Sequence, residues 1–146
     1  MKDVMSWERC EREFIRKIEP DNEKVLSIQG ATDSRLRFVK EIKVNEENVS
    51  FVVENYYEII KELLVALLLK KGLRAKNHQC LFSDFLKKYP EHEHEVNLIL
   101  QMSFLRNRLD YYGEMIEIEF YEKNMKEFEN IIEILKKQLQ LIGLMH

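Results

Sequence analysis

Residues 49–71 read VSFVVENYYEIIKELLVALLLKK, and their pattern decides the fold class. At about 100° per residue, Phe51, Val52, Val53, Tyr56, Ile59, Ile60, Leu63, Leu64, Leu67 and Leu68 cover most of a helix circumference. A helix that is apolar nearly all round needs other helices around it to keep that surface from water. The stretch therefore predicts the central helix of a bundle. Lys70 and Lys71 suit the negative end of its dipole, and Gly72 can adopt the left-handed conformation that ends it.

The flanking sequence supplies the surrounding helices. Trp7, Cys10, Phe14 and Ile18 recur at helical spacing and predict a short helix ending near Pro20. Val25, Ile28, Thr32, Leu36, Val39 and Ile42 predict a second, through about residue 43, and Asn45 is a candidate cap for the central helix. A short helix is expected over about Gln79–Tyr89, bounded by Pro90, and a longer one over about His92–Gly113. The last, about Tyr121–Ile142, places Met125, Phe128, Ile132, Leu135, Leu139 and Ile142 at alternating steps of three and four, a seam that needs a partner helix. No repeat, low-complexity tract or flexible linker interrupts the chain, so residues 1–146 are expected to fold as one all-α, up-and-down bundle. Residues 1–44 would form an N-terminal helical pair and 45–146 the helical core.

Composition narrows the function classes. Four glycines and two prolines in 146 residues favour helices over turn-rich β architecture. With 26 acids against 23 bases the chain carries a net charge of −3, so any polyanion site must be local. Lys70, Lys71, Arg74 and Lys76 form the one concentrated basic stretch, for which a solvated helix end is the default reading. Cys10 and Cys80 fit no disulfide framework or metal-ligand spacing and are expected to be reduced packing residues. No signal-peptide pattern opens the chain and no segment approaches the roughly 20 apolar residues of a membrane span. A cytoplasmic protein with no membrane association is expected.

The chemistry concentrates in residues 104–116, FLRNRLDYYGEMI. Leu98, Met102, Leu105, Leu109 and Tyr112 share one face of the helix, predicted to pack inward. A second face begins with Val96, Ile99, Leu100 and Ser103 and continues with Arg106, Asn107, Asp110 and Tyr111. Arg106 and Asp110 are four apart, as are Asn107 and Tyr111, so each pair can meet across one turn. The apolar half of this second face predicts a homodimer interface at Val96, Ile99, Leu100 and Ser103. The polar half makes Arg106, Asn107, Asp110 and Tyr111 candidate ligand-binding residues.

Arg106-Asn107, followed by Arg108, Leu109, Asp110 and Tyr111-Tyr112-Gly113, resembles the RN-x-x-x-H signature of the HEPN family, the higher eukaryotes and prokaryotes nucleotide-binding domain. The similarity extends upstream through YYEIIKELLVALLLKKG and on to His78, and covers roughly residues 48–143. The resemblance implies a HEPN-like helical core, a dimer cleft, and RNA, a nucleotide or a protein as ligand, with a minimal nucleotidyltransferase as partner in a toxin–antitoxin-type system. Active members of that family are metal-independent endoribonucleases, in which arginine holds a phosphate and histidine moves protons. Here Tyr111 stands where the family carries its histidine. A phenol with a pKa of about 10 is a poor proton shuttle at pH 7, so a binding module without the usual catalytic pair is expected. The alternatives are a weak endoribonuclease using Arg106, Tyr111 and His78, or a structural dimeric assembly protein. No cofactor or metal is expected: His92 and His94 flank Glu93, but residues two apart on a helix diverge by about 200°.

Overall fold

The computed structural model describes the backbone of residues 4–144 and the side chains of residues 4–141. Six helices dominate: α1 (Trp7–Glu13), α2 (Asn22–Lys40), α3 (Val49–Lys70), α4 (His78–Lys88), α5 (Glu93–Tyr112) and α6 (Ile118–Leu144). The protein is an all-α helical bundle, and α3 is its centre, packing against α2, α4, α5 and α6. Ile59, Ile60, Leu63 and Leu68 on α3 are at most 1% exposed. Each such side chain contributes about 1.5–3 kcal/mol relative to leaving it in water. Phe51 departs from the sequence expectation, standing 52% exposed on the first turn of α3.

One apolar core takes Val25, Ile28, Leu36 and Val39 from α2 and Phe128, Ile132, Leu135 and Leu139 from α6. The expected seam of α6 therefore closes on the chain itself up to Leu139, while the Ile142 side chain lies outside the described residues. Tyr56 and Phe128 pack with ring centroids 5.5 Å apart, joining α3 to α6.

The N-terminal segment corrects the sequence reading. The first helix stops at Glu13, and Ile15–Lys17 forms a strand, β1, antiparallel to β2 (Leu73–Ala75). Gly72 makes this return possible. Its φ of +73° turns the chain out of α3, and a Cβ there would stand 2.8 Å from the Ile18 carbonyl oxygen. The Ile18 N–H donates to the Gly72 carbonyl at 2.9 Å. A second correction concerns the cysteines, which are joined as a Cys10–Cys80 disulfide tying α1 to α4. Such bonds persist in oxidising surroundings and are rare in the cytosol; a cytoplasmic chain would hold the same two residues as thiols.

The capping residues also shift. Asn45 Oδ1 accepts from the N–H groups of Glu47 and Asn48, ordering the turn before α3, and Asn48 is the residue at the helix start. Asn77 caps α4 through the Cys80 N–H at 3.0 Å, which makes His78 its first residue. At the other end of α3, Lys71 Nζ meets Asp84 Oδ2 of α4 at 2.6 Å. Burial pulls the Lys71 amine down to about 8, overcoming the opposing effect of Asp84.

Candidate functional site

Three helices bring polar side chains together around Tyr57, whose ring is fully buried in α3. Its hydroxyl stands 3.1 Å from Nδ1 of His78 at the start of α4 and 3.3 Å from Oγ of Ser103 on α5. A phenol has one proton, so it can donate to only one of these neighbours and must accept from the other. Arg106, one turn beyond Ser103, places its guanidinium carbon 5.8 Å from the centroid of the Tyr57 ring. This cation–π contact fixes the arginine against α3.

Asp110 approaches Arg106 as the spacing predicts, with Nε and Oδ2 3.4 Å apart. That separation satisfies an ion pair, but it leaves the buried Nε without a hydrogen-bond partner. Glu54 completes the group from α3. Burial raises its pKa, and the hydrogen bond and charge of Asp110 push it further up, while Arg106 acts in the opposite direction. His78 is held below its ordinary pKa of 6.5, first by burial and then by the charges of Lys61 and Arg106. The imidazole is therefore neutral at pH 7.

The other candidates on α5 separate from this group. Tyr111 is 78% exposed and Asn107 is also exposed; neither makes a side-chain hydrogen bond among the described residues. Five residues along a helix turn Tyr111 about 140° away from Arg106. Tyr112, expected inside, is 73% exposed, because α5 ends one residue later at Gly113 (φ +63°) and its last turn overhangs the bundle. The Arg108 guanidinium carbon lies 5.1 Å from the Tyr112 ring centroid and 5.7 Å from that of Phe104, while its Nη2 meets Glu114 at 2.6 Å. This cluster fastens the end of α5.

The expected dimer face requires correction. Val96 and Ile99 are each 1% exposed and Leu100 is 7%, all within the core of the single chain, and Ser103 serves Tyr57. The apolar half of this second face is consumed by the bundle of the chain itself.

A cleft of about 260 Å³ opens on the other side of His78, between α2, α3, β2 and the start of α4. Lys24, Lys61, Arg74 and Lys76 line it, with Glu62 as the opposing carboxylate. Sequence reasoning marked the 70–76 stretch but not Lys24, Lys61, Tyr57 or Glu54, whose relevance depends on tertiary packing. His92 and His94 do not converge: His92 stacks on Phe85 at 5.7 Å, and His94 is exposed. Among the described residues no group of three His, Cys, Asp or Glu could hold a metal, and no helix is long and apolar enough to cross a membrane. No family model, curated protein or solved structure matches the chain.

Proposed function

We propose that this chain is a HEPN-like module that binds RNA or a nucleotide through Arg106 without cleaving it. The observation that carries this reading is the incomplete satisfaction of Arg106, whose buried Nε lacks a hydrogen-bond partner and whose one carboxylate contact is 3.4 Å long. A buried unpartnered donor calls for an acceptor, and a phosphate oxygen is one that a guanidinium binds well. Burial and the neighbouring Asp110 raise the Glu54 pKa, which makes its charged form less favourable beside Arg106. Proton transfer has less support. Tyr111 is exposed and turned from Arg106, and His78 is engaged with Tyr57. The resemblance adds a second copy and a nucleotidyltransferase-type protein as partners and a toxin–antitoxin-type role, and the cytoplasmic setting expected from the sequence belongs to the same proposal.

Fluorescence anisotropy with a short labelled single-stranded RNA tests the reading. Arg106→Ala should weaken binding roughly tenfold or more, the equivalent of one lost charge-assisted contact. The RNA should remain intact. Metal-independent cleavage that disappears in Tyr111→Phe would overturn the proposal.

A further inference from the structure

We infer that the basic cleft beside His78 is a second binding site, taking the phosphate groups of a nucleotide or of an RNA backbone. This rests on the reading that the ligand carries phosphate, and it adds a place for that phosphate distinct from Arg106.

Residues remote in sequence converge there: Lys24 from α2, Lys61 from α3, Arg74 from β2 and Lys76 just after it. Lys61 is already neutralised, by Glu58 at 2.7 Å and Glu62 at 3.5 Å. Lys24, Arg74 and Lys76 form no ion pair among the described residues. Their positions are held by the backbone rather than by flexible loops: Lys24 is anchored by the Asp21 cap at 3.0 Å, and the Lys76 N–H donates to the Phe14 carbonyl at 2.8 Å.

The strand register adds a second, independent observation. Arg74 is paired directly with Arg16 across the β1–β2 ladder. Like charges facing each other across strands destabilise a sheet, and Lys76, just after the strand, lines the same cleft as Arg74. An anion in the cleft would offset this repulsion. A phosphate suits it better than a single carboxylate because its several oxygens can meet lysine ammonium groups and an arginine fork together. At about 260 Å³ the cleft is smaller than the roughly 300–1,000 Å³ of pockets that enclose whole drug-sized ligands. It accepts phosphates and leaves base and sugar outside.

The test uses the full chain and three probes: inorganic pyrophosphate and ATP by calorimetry, and labelled single-stranded RNA by anisotropy across about 50 to 200 mM salt. The variant is Arg74→Glu with Lys76→Glu. It should stay folded, since Glu at position 74 would face Arg16 as an opposite charge, and circular dichroism checks this. The double variant should weaken binding at least about tenfold and reduce the salt slope for RNA by about 2. Binding of ATP and pyrophosphate without RNA identifies a nucleotide as the source of the phosphate. RNA that pyrophosphate displaces identifies the nucleic-acid backbone. Binding unchanged in the double variant but lost in Arg106→Ala overturns the cleft and leaves the proposed function standing. Binding lost in the double variant but unchanged in Arg106→Ala does the reverse, and no binding of any probe overturns both.

Discussion

The hydroxyl of Tyr57 and Nδ1 of His78 stand 3.1 Å apart, and this one contact links the Arg106 group to the basic cleft. His78 belongs to both surroundings: it lines the cleft, while the phenol it touches packs against Ser103 and Arg106. A change at either side can therefore be felt at the other through the position of a single imidazole.

Tyr57→Phe keeps the buried ring and removes the shared hydroxyl. Ser103 and His78 then lose a partner, which should cost about 1 kcal/mol, or roughly 3 °C in melting temperature. A thermal melt measures this directly. An unchanged melting temperature would mean that water replaces the hydroxyl at no cost.

The same contact has a pH signature. His78 folds with a pKa below 6.5 because of burial and the charges of Lys61 and Arg106, with Glu58 and Glu62 opposing. As pH falls below 6.5 the unfolded chain takes up a proton that the folded chain refuses, so stability drops toward the folded pKa and is insensitive to His78 above that window. Glu54, with a raised pKa, acts with the opposite sign, adding stability as pH falls through its folded value. Melting temperature should decline as pH falls below 6.5 in the unmodified protein and flatten there in His78→Gln. Parallel profiles for the two proteins would remove His78 from the account.

Two glycines should respond in opposite directions to alanine. Gly72→Ala forces a Cβ to 2.8 Å from the Ile18 carbonyl oxygen at φ +73°, and should cost at least about 1–2 kcal/mol. Gly30 lies within α2 with nothing within 4 Å of an added Cβ, so Gly30→Ala should gain about 0.5–1 kcal/mol. Denaturant titrations of both variants check the signs.

Removing the disulfide tests how firmly α1 is held. The bond spans 70 residues of sequence, and Cys10→Ser with Cys80→Ser should cost about 2–4 kcal/mol by freeing the unfolded chain. Protein purified without reductant should show no titratable thiol when denatured. Two thiols per chain there, with a stability equal to that of the serine variant, would count against the bond in solution.

The central helix was legible because an apolar circumference over 22 residues has one structural solution, and the seam of α6 because its period is its own. Ile15–Lys17 was not, since a three-residue strand has no measurable period and Phe14 and Ile18 mimic helical spacing. Nor was the disulfide, because two isolated cysteines announce nothing until the fold brings their Cα atoms to 5.5 Å. At the site, Arg106 and Asp110 were readable from their spacing, being neighbours on one helix. Tyr57 was hidden inside an apolar run, and its meeting with His78 depends on how α4 packs against α3.

A helical wheel also shows which residues share a face without showing what covers it, and α5 makes the distinction testable. Ile99, read from the sequence as part of a dimer face, is 1% exposed inside the single chain. Ile99→Glu would bury a carboxylate among apolar side chains, and the cost is comparable to the 5–15 kcal/mol that stabilises a whole domain. It should abolish the helical circular dichroism rather than separate two folded copies. A homodimer through α5 would instead have to use its outer side, where Phe104 is 58% exposed. If two copies pair there, Phe104→Glu should keep the helical signal and reduce the mass seen by sedimentation to that of one chain. An unaltered dimer mass in Phe104→Glu would exclude Phe104 from the contact, and a folded, fully stable Ile99→Glu would contradict the packing of α5 itself.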